Sequence, residues 1–202
     1  MVASPEGRIA IDLPKFSNVP KSEHLLCAER YKRDALQILY GMADSTAALS
    51  DTNIHAIRAH QRSFLESLST TQLAVLGVFS RILGLNYFRL IKSNHPDKPS
   101  DAFRDREIVF EDRVLRYGPF FAWATTVVEE RGSAIRAWSD EVMAQVLADM
   151  EAFETGRSQG YASLQSVLWK LFCGRRGCDM FDSWWEAMEI VENEMMGYDV
   201  SR

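Results

Sequence analysis

The chain has 202 residues, a formal net charge of −5, 47% apolar residues and 25% charged residues. These values exclude a wholly disordered chain and give no overall attraction to nucleic acid or to an anionic membrane. Three cysteines, an odd number in a chain of ordinary size, exclude a disulfide scaffold.

Charge is divided unevenly along the chain. Residues 1–100 carry 12 Lys and Arg against 9 Asp and Glu, whereas residues 101–202 carry 11 against 19. The acidic second half points to a basic partner, either the first half of the chain or another protein. No basic region leads into an apolar run after Met1. The expected setting is therefore intracellular and reducing, cytoplasmic or nuclear.

In chain order, Pro5, Gly7, Pro14 and Pro20 predict an extended arm over residues 1–21. A single helical domain is expected over 22–202. Ser22 opens a helix in which Leu25, Ala28, Tyr31, Ala35, Ile38, Leu39 and Met42 recur at three- and four-residue steps. A second helix is expected from about Asp51 to Leu68, with Ile54, Ile57, Phe64, Leu65 and Leu68 inward.

Ser69-Thr70-Thr71-Gln72 is a capping-box pattern opening a helix over 70–93. Only Arg81, Arg89 and Lys92 form a polar stripe on that helix, so it is expected to lie at the centre of the domain. Its most apolar stretch, Leu73 to Ile91, contains two arginines and an asparagine, which argues against a membrane span.

A charged helix from Asp101 to Tyr117 follows, and Gly118-Pro119 restarts the chain into a helix from Phe120 to Arg131. Further helices are predicted over 133–155, 161–173 and about 179–196, with Cys173-Gly-Arg-Arg-Gly-Cys178 as a turn. In the last helix, Phe181, Trp184, Trp185, Met188, Val191 and Met195 fall on one side. The expected fold class is all-α: a compact, bundle-like domain of seven or eight helices.

Residues 93–100, SNHPDKPS, place a His-Pro-Asp between two helical stretches. With Leu76-Gly77-Val78 upstream and Tyr87, Leu90 and Lys92 before it, this stretch resembles the J-domain family of co-chaperones. The resemblance implies that His95, Pro96 and Asp97 contact a heat-shock chaperone ATPase. It also requires a chain reversal between Val78 and Tyr87, where only eight residues intervene. Arg113, Arg116 and Tyr117 stand where the family carries an Ile-Ala-Tyr pattern. The same octapeptide also reads as a tight interhelical turn, with Pro stopping one helix and Ser capping the next.

Catalytic patterns are absent. No Glu-x-x-His, Asp-Asp-x-x-Asp, phosphate-binding glycine loop or Gly-x-Ser-x-Gly elbow occurs. His24, Cys27, Cys173 and Cys178 would make a legitimate zinc set if the fold brought them together, but nothing in the sequence does so. No cofactor, metal or catalytic residue is therefore assigned.

From 179 to 199 there are seven acids and no base, beside Trp184 and Trp185. The leading expectation is a non-enzymatic interaction module that binds a protein partner or associates with itself, without nucleic acid or membrane. Its interface candidates are Trp184, Trp185, Arg175 and Arg176. The alternative is a small-molecule-binding protein or enzyme with Trp123, Phe120, Phe121, Tyr87 and Phe88 as pocket walls.

Overall fold

A computed structural model describes residues 24–49, 54–126, 133–156 and 163–195. The proposed arm at 1–21 lies outside these residues. Among the described residues there are eight α-helices and no strand. They are α1 (His24–Asp44), α2 (Ile54–Ser67), α3 (Thr70–Asn94), α4 (Arg104–Tyr117), α5 (Pro119–Thr126), α6 (Ala134–Glu154), α7 (Leu164–Arg176) and α8 (Ser183–Met195). A short 3-10 turn, Ser100–Phe103, precedes α4. The all-α expectation holds.

The contacts divide the chain into two compact units, with the boundary falling between Ser80 and Arg81 inside α3. One unit contains α1, α2, the first part of α3, α7 and α8. There α1 packs on α2 and α8, and α7 packs on α2 and α8. Tyr31, Ala35, Ile38, Leu39 and Met42 of α1 are all buried, as their spacing requires. The Tyr31 ring meets Phe79 edge-on at 5.9 Å. α7 packs tightly on α3 at Gly77: a methyl group there would stand 2.9 Å from the Trp169 ring and 3.0 Å from Leu168. Absence of a side chain at Gly77 is thus a packing requirement.

The second unit contains the rest of α3 with α4, α5 and α6, each of the last three packing on the other two. Its centre is aromatic. Tyr87 stacks on Phe110 at 4.2 Å, and Phe110, Tyr117, Phe121 and Trp138 continue the cluster at centroid separations of 5.3–6.0 Å.

The capping box is realised. The Ser69 backbone N–H donates to Gln72 Oε1 at 2.9 Å, and the Gln72 N–H donates to Ser69 Oγ at 3.1 Å. From that start α3 runs unbroken for 25 residues. Among the described residues it is the one helix long and apolar enough to cross a membrane, and it is mostly buried within the fold. Its continuity bears on the J-domain resemblance. Leu76-Gly77-Val78 and Tyr87 sit on one helix here, whereas the resemblance needs them on two. His95-Pro96-Asp97 is a turn: the His95 N–H donates to the Lys92 carbonyl, the Lys98 N–H donates to the His95 carbonyl, and Lys92 Nζ reaches back to the Lys98 carbonyl.

Two boundaries differ from the sequence reading. Residues 173–176 continue α7 rather than forming a turn, because nothing in Cys-Gly-Arg-Arg forbids helical dihedrals; the helix stops only where Gly177 takes φ +75°. The last helix begins at Ser183, not near 179. The Asp179 carboxylate accepts the N–H groups of Phe181 and Asp182 at 2.8 and 2.9 Å and holds a separate turn ahead of it.

Candidate functional site

The turn between α7 and α8 leaves large apolar side chains in solvent. Phe181 is 87% exposed, Trp185 69% and Met180 49%. Each follows from the local backbone. Phe181 lies in the Asp179 turn, outside any helix. α8 buries Ser183, Ala187, Ile190 and Val191, so Trp185 points away from the buried face and Trp184 is half-buried. The one-sided grouping of Phe181, Trp184 and Trp185 is thereby split. One tryptophan turns toward the fold and the other stands clear of it.

Acids surround the exposed pair. Asp179, Asp182 and Glu189 are exposed, and Glu186 is half-buried on the same stretch. Six acids and no base occur between residues 179 and 195.

Arg175 and Arg176 are committed within the fold. Arg175 donates to the Leu68 carbonyl and, at 2.6 Å, to the Glu66 carbonyl, capping the C-terminal end of α2. Arg176 Nε pairs with Glu186 Oε2 at 2.8 Å. The sequence reading offered both as partner-binding cations. In the structure each has an intramolecular acceptor, and both residues remain exposed.

Cys173 is buried and Cys178 half-buried, neither in a disulfide. The Cys173 thiol donates to the Asp179 carbonyl at 3.4 Å. Burial and the neighbouring Cys178 thiol push Cys173 up to about 11. The side chains of His24 and Cys27 lie outside the described residues. Among those described, no group of three His, Cys, Asp or Glu side chains is placed to hold a metal ion.

A second feature lies wholly within the other unit. A cavity of about 630 Å³ opens between the C-terminal half of α3, the start of α4 and α6. Ile91, Met143, Ala144 and Leu147 supply apolar wall; Tyr87, Asn94, His95, Arg106, Arg136 and Asp140 supply polar groups. Arg136 Nε pairs with Asp140 at 3.2 Å and its guanidinium also donates to the Thr125 carbonyl. Arg106 faces Tyr87. Burial raises the Tyr87 hydroxyl above its ordinary range, and Arg106 partly offsets this. Of the aromatic walls expected from sequence, only Tyr87 lines this cavity. Phe121 is buried, Phe120 is half in solvent, and Phe120 and Trp123 lie together 5.6 Å apart beside Trp138.

Sequence reasoning missed a buried ionic cluster in the same unit. Arg81 Nη1 lies 2.6 Å from Glu111 and 2.9 Å from Glu107, both carboxylates being almost fully buried. Two acids share one guanidinium, and burial pushes Glu111 up to about 8. The sequence reading noted only that α4 is charged; the available signal was Val109, Phe110, Val114 and Leu115, which place part of the helix inward.

Comparison with protein-family models, with curated proteins and with solved structures finds no match.

Proposed function

We propose that this protein is a non-enzymatic, intracellular interaction module that docks a basic, amphipathic segment of a partner protein on the surface at the α7–α8 turn. The observation carrying this reading is the exposure of Phe181 and Trp185 among Asp179, Asp182, Glu186 and Glu189, of which only Glu186 has a cation, Arg176, paired with it among the described residues. Exposed aromatics supply apolar contact area at low entropic cost, and surrounding acids select a cationic partner and speed encounter. A synthetic helical peptide with Leu on one face and Lys on the other tests it by titration calorimetry. Micromolar binding, weakened at least tenfold by Trp185→Ala or Phe181→Ala and absent for the matching Glu/Leu peptide, is expected. Equal binding of both peptides by all variants would overturn it. Concentration-dependent dimerisation abolished by Trp185→Ala would replace the partner segment with a second copy of the chain.

A second reading rests on the cavity beside Tyr87. Arg136 is already paired there with Asp140, while no described carboxylate is paired with Arg106. Such a pocket suits a small organic anion with an apolar body. Native mass spectrometry of purified protein tests this. A co-purifying anion lost in Arg106→Gln supports it; a bare protein mass, with no thermal shift from aromatic carboxylates, counts against it.

A further inference from the structure

Two of the three cysteines occupy the pair of positions that a glycine-terminated helix brings side by side. Where a helix ends on a left-handed residue, the N–H of the residue after the glycine folds back to a carbonyl five residues earlier. The side chains at those two positions then come into contact. Here Gly177 has φ +75°, its N–H meets the Cys173 carbonyl at 2.8 Å, and the Cys178 N–H meets the same carbonyl at 3.3 Å. The positions that usually join two apolar side chains across such a cap are here held by two cysteines, Cys173 and Cys178. A disulfide needs a short Cα separation, and the two backbone bonds to the Cys173 carbonyl fold the chain back toward it.

The surroundings assign different roles to the two sulfurs. Cys178 is half-exposed and reachable from solvent, with the Arg176 guanidinium within electrostatic reach of it. Cys173 is buried, and its thiol contacts the Asp179 carbonyl and, at 3.7 Å, the Met180 sulfur.

We infer that Cys173 and Cys178 form a reversible dithiol–disulfide pair across the C-terminal cap of α7, oxidised by low-molecular-weight disulfides. The Cys178 thiolate attacks one sulfur of the small disulfide, forming a mixed disulfide and expelling one small thiolate. The buried Cys173 thiol then gives up its proton and attacks the Cys178 sulfur, forming the internal bond and expelling the second small thiolate. Two protein thiols are oxidised, one small disulfide is reduced to two thiols, and both protein protons pass to the departing thiolates. This chemistry is independent of the docking reading, because it needs only the geometry of the cap.

The test uses the full chain equilibrated with defined ratios of oxidised to reduced glutathione, quenched by acid, alkylated and analysed by peptide mass. The expected result is a two-proton mass loss, a peptide linking Cys173 to Cys178 with Cys27 still alkylated, and full reversal by dithiothreitol. Cys173→Ser should instead accumulate a glutathione adduct on Cys178. In the unmutated chain, three alkylated cysteines at every ratio, a lasting glutathione adduct on Cys178, or linkage of either residue to Cys27 would overturn the inference.

Discussion

Glu111 shows how burial makes one carboxyl a determinant of stability. In the folded chain it titrates near 8, against an ordinary value of 4.5, because burial disfavours its charged form more than Arg81 favours it. The folded state therefore holds this proton more tightly than the unfolded state. Its contribution is greatest below about pH 4.5 and declines as pH rises towards 8, by as much as a few kcal/mol. The groups facing it are Arg81 and Glu107. Glu111→Gln, which keeps an acceptor for Arg81 and removes the titration, should flatten the melting-temperature profile between pH 5 and 9. An unchanged slope in that variant would show that Glu111 does not titrate across this range.

At the same scale, Trp185 and Arg175 separate binding from folding. Trp185 is mostly in solvent, so Trp185→Ala should change stability by less than about 0.5 kcal/mol while weakening peptide binding at least tenfold. Arg175 holds two carbonyls at the end of α2. Arg175→Ala should cost roughly 1–2 kcal/mol in denaturant unfolding and leave peptide affinity unaltered. The reverse pattern would place Arg175 at the interface, as its position beside Arg176 between two glycines suggested. That placement was not readable from sequence because the Leu68 and Glu66 carbonyls lie over a hundred residues away.

At the scale of elements, helices were legible where one face is apolar and the ends carry polar signals. The α3 start is the clearest case: Ser69 and Gln72 exchange the hydrogen bonds their spacing implies. Removing the cap by Ser69→Ala should destabilise the fold by about 1 kcal/mol. Gly77→Ala should cost more, about 1–3 kcal/mol, because the new methyl meets Trp169 and Leu168 inside a filled contact. Equal costs for the two would mean that α7 yields to the methyl. The burial of α4 was not legible from its charge. Glu107 and Glu111 are tolerated inside because Arg81, on a different helix, reaches both. The α7 end was misplaced for a related reason: Gly174 and Gly177 look alike in sequence, and only Gly177 leaves the right-handed helical region.

At the scale of the whole molecule, the sequence resolves the fold class and much of the core but not the site. Tyr31, Ala35, Leu39 and Met42 announce their burial by spacing alone. Phe181 and Trp185 do not announce their exposure, since aromatics near a helix start are as readily core as surface. Their exposure follows from where the Asp179 turn ends and α8 begins, a matter of a few residues. The partner chemistry is read from charge. An acidic rim around two apolar anchors selects a cationic amphipathic segment, and its attraction should weaken as salt rises.

The most direct test follows the five tryptophan indole N–H resonances in a nitrogen-15 correlation spectrum as the Lys/Leu peptide is added. The docking surface predicts that the Trp185 resonance shifts first and furthest, Trp184 follows weakly, and Trp123, Trp138 and Trp169 stay in place. Shifts confined to the latter three, or none at saturating peptide and low salt, would contradict it.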